Sequence, residues 1–329
     1  MKLCLQVLLC AAFLATDASA QATAQSPAQP WPTRPIRLIV PTGPGLGTDI
    51  MARLLADGVS RTLGQQVYVD NVPGASGIIG AQAAARAASD GNTLFFANAS
   101  TFTSNMFLLK SIPYDPTRDF TAVAMVSNRG PVVVSVHPDL PVRTLPELIA
   151  YGKAQPGKLS YAVDATSGLG LVVGRLLNKR GAIGMVEVPY RATAQMLQET
   201  AAGTTQVMIS SFAAVDGFAK AGKVRRIALS SAHRFPGLDD VPTISETLPG
   251  FEMDGWLVVV APAGTPPSVV TRLNQEIGHF LRNPDIQQRL IALGLAVSGT
   301  DTPETTAEFI RQQQAQWRSL AQELDLQPE

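Results

Sequence analysis

The chain has 329 residues, with 26 Lys plus Arg against 26 Asp plus Glu and only 16% charged residues, so it is formally neutral. A neutral chain without basic blocks argues against nucleic acid or an anionic membrane surface as a partner. Its two cysteines, Cys4 and Cys10, lie near the N-terminus, and its histidines, His137, His233 and His279, are far apart; neither a metal centre nor a bound cofactor is expected.

Met1 to Ala20 combines a basic start at Lys2, an apolar run from Leu3 to Leu14 and the small-residue site Ala18-Ser19-Ala20. This reads as a secretory signal peptide, with export to the periplasm as the implied destination. The apolar run is too short for a membrane span. Residues 21–30, rich in Ala, Gln, Ser and Pro, read as a disordered spacer. The chain from Trp31 onward is long enough for two domains with good cores.

Ile36 to Val40 is bulky and mostly apolar, as a strand covered on both faces should be. Pro41 and Pro44 end it. Gly43, Gly45 and Gly47 then form a glycine-rich turn, and Ile50, Met51, Leu54, Leu55, Val59 and Leu63 recur at helical spacing. Thr48 is placed to cap that helix and Asp49 to sit in its first turn. Free backbone N–H groups at a positive helix terminus form a place for an anion. The G-x-G-x-G spacing is not the dinucleotide fingerprint, and no Walker lysine follows, so a carboxylate is the better candidate. The plainer alternative is that the glycines only make a tight turn. Asp49 likewise reads first as a helix-start residue and second as a partner for a ligand amine.

A second strand is expected over QQVYVDN. An alanine-rich helix capped by Ser76 should follow, then a third strand over Thr93 to Ala97 that runs into Asn98-Ala99-Ser100-Thr101. This alternation predicts a parallel α/β sheet, with ligands at the carboxyl ends of the strands, near the loops Pro41–Asp49 and Ala97–Asn105, the latter holding the candidates Ser100, Thr101 and Phe102. From Phe120 the apolar runs around Asn128-Arg129-Gly130 suggest a strand crossing between domains. Thr144 and Glu147 form a capping box for LPELIAYGKA. Leu159 to Val163 is the next expected strand. It leads into Asp164, Ala165, Thr166, Ser167, Gly168 and Leu169 and the helix LVVGRLLNKRG, which repeats the opening strand–turn–helix pattern. Strands at MVEVPY, QVMIS and RRIALSS come next, the last expected to cross back. Tyr190, Ser210 and Ser211 end strands at the level of the turn after Asp164, and Trp256 opens a final apolar strand. The C-terminal helices are expected to pack on the first domain. This gives residues 31–125 plus 232–329 as one domain and 126–231 as the other, with hinges near Ala122–Arg129 and Arg226–Ser231.

Several long stretches carry a resemblance: WPTRPIRLIVPTGPGLGTDIMARLLA, VDNVPGASGIIGAQAAARAASDGNTL, IPYDPTRDFTAVAMV, LPELIAYGKAQPGKLSYA, VEVPYR, DVPTISETLPGFE and APAGTPPSVVTRLN. Together they make the chain similar to the solute receptors of tripartite tricarboxylate transporters, the Bug family of periplasmic binding proteins. The resemblance implies an α/β fold of the type II, flytrap class, with a ligand cleft between two domains and no catalysis. It further implies a monomer that delivers a small carboxylated solute to the membrane components of such a transporter. In that family a carboxylate is held by two loops, which correspond here to Pro41–Asp49 and Asp164–Gly170.

The chain departs from the family at several positions. Thr42 replaces a phenylalanine, Leu46 a glycine, and Phe102 and Leu171 stand where histidines are frequent. A ligand with one anchored carboxylate and an apolar or aromatic remainder is therefore expected rather than citrate. Two other classes compete with this reading. A secreted hydrolase lacks support, because no G-x-S-x-G elbow and no Ser-His-Asp cluster is present. A receptor that presents its solute to a sensor kinase ectodomain stays open.

Overall fold

The computed structural model describes residues 31–164, 168–190, 192–297 and 301–328. The expected signal peptide and spacer, together with Ala165, Thr166, Ser167 and Arg191, lie outside the described residues. The first lobe opens with β1 (Ile36–Val40), α1 (Gly47–Leu63), β2 (Val67–Asn71), α2 (Ile78–Ala85) and β3 (Thr93–Asn98). Two short turns come next, α3 (Ala99–Phe102) and α4 (Asn105–Leu108), and then β4 (Phe120–Ser127).

The second lobe contains β5 (Val132–Val136), α5 (Leu145–Ala154), β6 (Ser160–Asp164), α6 (Gly168–Gly181), β7 (Val186–Tyr190), α7 (Thr193–Ala201), β8 (Val207–Ser211), α8 (Phe212–Lys220) and β9 (Arg225–Leu229). The chain ends with β10 (Leu257–Pro262), α9 (Pro267–Leu281), α10 (Pro284–Ala292) and α11 (Pro303–Glu323).

The strands form two five-stranded sheets, ordered β2-β1-β3-β10-β4 and β7-β6-β8-β5-β9. The expected parallel cores are present as β2-β1-β3 and β7-β6-β8. Each sheet also contains an antiparallel strand, β10 in the first and β5 in the second, that the alternation of strand and helix does not announce. Both strands enter their sheet from the crossing between the lobes, which is why they run against the local βα units. The second strand expected to cross, β9, instead stays at the edge of the second sheet beside β5.

Local chemistry explains the elements. α1 buries Met51, Ala52, Leu55, Ala56, Val59 and Leu63 against β1 and ends at Gly64, whose φ of 67° suits glycine. Its N-cap is Leu46 rather than Thr48, which is the second residue of the helix. Ser76 is also not a cap: it sits at φ 54° in a short turn, and α2 starts after Gly77. Thr144 does cap α5, accepting from the Glu147 N–H, but Glu147 reaches back to the Arg143 N–H.

The apolar run after Phe120 divides into β4, which stays in the first sheet through Ser127, and β5. The crossing is therefore Asn128–Pro131, and the return crossing runs from Ser230 to Trp256. These two segments are stitched together. The Gly255 N–H donates to Gly130 O at 2.8 Å, and Ser230 Oγ donates to Met253 O while accepting from the Val132 N–H. A side chain at Gly130 would meet the Gly255 carbonyl at 3.0 Å, so this close approach needs glycine.

A third link is α11. Ile310 packs in the first lobe with Phe95, Phe102 and Trp256, whereas Trp317 and Leu320 belong to the core of the second lobe. Glu323 pairs with Arg180 of α6 at 2.8 Å. This corrects the expectation that all the C-terminal helices pack on the first domain.

Candidate ligand-binding site

Between the two sheets lies a cavity of about 280 Å³. On the first lobe its wall is Thr48 of α1, Asn98 at the end of β3, Ala99 and Ser100 of α3, Ser104, and Trp256. The second lobe supplies Leu169 and Gly170 of α6, Thr193 of α7, and Ile209, Ser210 and Ser211 at the end of β8. The crossing glycines Gly130 and Gly255, with Leu295 and Trp317, close the back. The cavity thus sits at the carboxyl ends of β3 and β8, where the helices that follow begin. The starts of α1, α6, α7 and α8 all border it, each presenting the positive end of a helix.

Among the described residues, no Asp, Glu, Lys, Arg or His lines this cavity. Compensation for an anion must then come from N–H groups and hydroxyls. Asn98 shows how the first lobe is built for this: its Oδ1 accepts from Ser100 Oγ at 2.9 Å, which fixes Ser100 at the wall. The two lobes come very close at Gly168. A Cβ there would stand 2.6 Å from Ser104 Oγ.

Of the residues singled out in the sequence, Thr48, Ser100, Leu169, Ser210, Ser211 and Trp256 are at the cavity wall. Gly168 stands beside it against Ser104. Leu46 is 57% exposed and, like Thr42, Gly43, Gly45 and Gly47, is not in the wall. Asp49 is buried and fully occupied. It accepts from the Gly45 N–H at 2.8 Å, Asn71 Nδ2 at 2.8 Å and Arg53 Nε at 3.0 Å, and so ties the glycine turn to β2. Burial pushes its carboxyl up, but these donors together hold it below the ordinary value. This makes Asp49 the clamp of the turn and not a partner for a ligand amine.

Thr101 and Phe102 also turn inward. Thr101 is fully buried, and Phe102 packs 5.4 Å from the ring of Phe120 and 6.2 Å from Trp256. Tyr190 is buried and donates from its hydroxyl to Glu199 at 2.6 Å, outside the cavity wall. Asp164 ends β6, as expected. Sequence reading did not single out Ser104, Thr193, Leu295 or Trp317. Thr193 stands at a helix start after a strand, a signal that could have found it. Trp317 follows the apolar spacing of a helix whose crossing between lobes no local pattern reveals.

The family model described as the tripartite tricarboxylate transporter family receptor (TctC) matches residues 51–326. The chain belongs to that family. Among similar proteins, BugT of Bordetella pertussis is 33% identical over 93% of this chain and 94% of its own length. An R. palustris protein solved with adipate is 33% identical, with a TM-score of 0.82 over 91% of this chain and all of that one. The periplasmic binding protein BugD is 30% identical, with a TM-score of 0.78 over 91% of this chain and all of that one. The fold is accordingly the two-domain α/β fold of periplasmic binding proteins, and TctC receptors are periplasmic substrate-binding proteins rather than an enzyme family.

Proposed function

We propose that this chain is an exported solute receptor that captures a small carboxylate between its lobes, performs no catalysis, and passes the solute to a tripartite tricarboxylate-type carrier. The lobes of the proposal are residues 31–127 plus 257–329 and residues 132–229, joined by the crossings Asn128–Pro131 and Ser230–Trp256, in place of the boundaries expected from sequence. Ile244 and Phe251 of the return crossing and Trp317 of α11 pack in the second lobe's core. One carboxylate of the ligand is held between the start of α1, at Thr48, and the turn from Asp164 to Gly170. The hydroxyls of Ser100 and Ser211 assist. The remainder of the ligand lies against Leu169, Leu295, Trp256 and Trp317 and is apolar or aromatic.

One observation carries this reading: a cavity of about 280 Å³ between two lobes, bordered by helix starts, with no ionisable side chain among its described lining residues. That volume is at the small end of ligand pockets, which run from about 300 Å³. The adipate-bound relative supports a carboxylate. Citrate would bring three negative charges to a wall whose described residues include no cation, so a ligand with a single buried charge suits it better.

The test is a thermal-shift screen of the purified mature chain against small carboxylates, aromatic acids included. Ligand binding to the native state raises the melting temperature by mass action. The expected result is a shift with acids that carry one carboxylate and an apolar body. A response to tricarboxylates or strongly polar diacids alone would overturn the ligand assignment.

A further inference from the structure

Seven buried side-chain polar atoms among the described residues have no hydrogen-bond partner. Two of them, Trp256 Nε1 and Ser104 Oγ, belong to residues in the wall of the interlobe cavity. Trp256 is 2% exposed and Ser104 1%, so neither group has its hydrogen bond made by open solvent.

Both residues are held in place by the rest of the fold. The Trp256 carbonyl accepts from the Ala99 N–H at 3.0 Å, and its ring packs on Phe102 and Phe309. The Ser104 carbonyl accepts from the Phe107 N–H at 3.0 Å and the Leu108 N–H at 2.9 Å. The backbone carbonyl of each residue is thus committed, while the polar side-chain atom is not.

We infer that Trp256 Nε1–H and Ser104 Oγ–H form a second subsite, which takes a neutral hydrogen-bond acceptor oxygen on the body of the ligand. This rests on the carboxylate-receptor reading and specifies what the ligand carries besides its acid group. An indole N–H only donates, so the ligand atom it meets is an acceptor. A wholly apolar ligand leaves these already buried donors with nothing to bond and gains nothing from them. A carbonyl or ether oxygen accepts from them and gains affinity. A second carboxylate would be stripped of water with only these two neutral donors in return, which is unfavourable. The favoured class is therefore a keto acid, or an aromatic acid with an ether or carbonyl oxygen, in preference to a plain fatty acid or a diacid.

The experiment uses matched acids on the full mature chain: pentanoate, levulinate and glutarate as one set, and hydrocinnamate with para-methoxyhydrocinnamate as a pair. In at least one set the oxygen-bearing neutral member is expected to bind about tenfold tighter than its plain counterpart, the effect of one well-made hydrogen bond. Glutarate is expected to bind no better than levulinate. In Trp256→Phe and in Ser104→Ala the preference ratio should fall towards one, each variant checked for folding by its melting transition.

In the wild type, the indole N–H resonance lost in Trp256→Phe should move with the oxygen-bearing acid more than with its counterpart. Acids that bind without such a preference, or a preference that survives both substitutions, overturn the subsite and leave the receptor reading standing. Glutarate binding tighter than levulinate overturns the neutral-acceptor assignment. Binding by none of the five acids counts against the receptor reading and the subsite together.

Discussion

Replacing Gly168 by alanine places one methyl group where the lobes meet. Its Cβ would stand 2.6 Å from Ser104 Oγ, 2.8 Å from Ser104 Cβ and 3.1 Å from Leu108 Cδ1. Two of these contacts are shorter than carbon or oxygen neighbours tolerate, so the lobes must move apart or Ser104 must shift. Overpacking of this kind costs about 1–3 kcal/mol. In a flytrap the contact exists only when the lobes close, so the cost falls on ligand binding and not on folding. That corresponds to a loss of affinity of roughly 5- to 150-fold. Titration calorimetry would read the affinity, and solution scattering the ligand-induced compaction. The ligand-free melting temperature should stay close to that of the parent. Ser104→Gly removes the oxygen and the β-carbon that the new methyl meets, so the double variant should recover binding of an acid without a second oxygen, such as pentanoate. If Gly168→Ala instead lowers the ligand-free melting temperature and leaves affinity intact, the contact is permanent and the closure argument fails.

Three further outcomes are expected. Asp49→Ala strands the Gly45 N–H and one N–H of Asn71, while Arg53 keeps Asn71 Oδ1 and Asn71 keeps the Thr42 carbonyl, and should cost about 1–3 kcal/mol in urea unfolding; a loss below about 0.5 kcal/mol would show that the clamp is unimportant. Trp317→Ala removes a buried ring that joins the core of the second lobe to the cavity wall, and should cost about 3–5 kcal/mol while also weakening ligand binding; unfolding and titration together check both parts. Asp254, within the return crossing, accepts from Ser231 Oγ at 2.6 Å and the Gly130 N–H at 3.2 Å. Burial pushes its carboxyl from 3.8 up to about 6, and the Ser231 bond and the Arg129 charge only partly oppose this. A raised folded value means that the stability from protonated Asp254 is full below 3.8 and is lost as pH rises through about 6. Asp254→Asn should therefore melt progressively higher than the parent as pH rises across that window, and a constant difference would refute this. Glu246, held near 2 chiefly by Arg234, acts in the opposite direction and at lower pH, so the two are separable.

The parallel strands and their order of appearance were legible because each is a short apolar run bounded by glycine or proline, with helix periodicity between. The antiparallel strands β5 and β10 were legible as strands but not as antiparallel ones. Their direction is set by the crossing between lobes, a long-range property with no local pattern. The same holds for α11, whose Ile310 and Trp317 lie on one apolar face yet serve different lobes. At the site, Thr48, Ser100, Leu169 and Ser211 were found because helix starts after strands have a sequence signature. Asp49 stands in the first turn of α1 as first read, but its second reading as a ligand partner fails, as does that of Phe102, because position in a turn does not say which way a side chain faces. Arg53 and Asn71 draw the carboxylate of Asp49 inward, and Phe120 and Trp256 take the ring of Phe102. Thr48 and Ser76 were misread as caps because a hydroxyl near a helix start is common, whereas the cap is decided by where the backbone turns.

That no ionisable side chain stands among the described lining residues of the cavity bears directly on how a receptor of the proposed kind would release its cargo. A lysine or arginine on one lobe would hold a carboxylate strongly with the lobes open, and closure would add little. Helix starts each offer roughly half a charge, and only at close range. If α1 on one lobe and α6 on the other share the carboxylate, neither compensates it alone, and compensation is complete only in the closed state. The ligand then favours closure by the difference between two half-sites and one, which is what a population shift requires. A transporter that prises the lobes apart removes half of the compensation at once and turns a tight site into a weak one. On this argument, a lysine introduced at Ser211 would raise affinity for simple carboxylates while reducing the compaction that accompanies binding, because the open lobe could then hold the anion unaided. Higher affinity with undiminished compaction would show that closure is driven by the apolar walls around Leu169 and Trp317 and not by the shared charge.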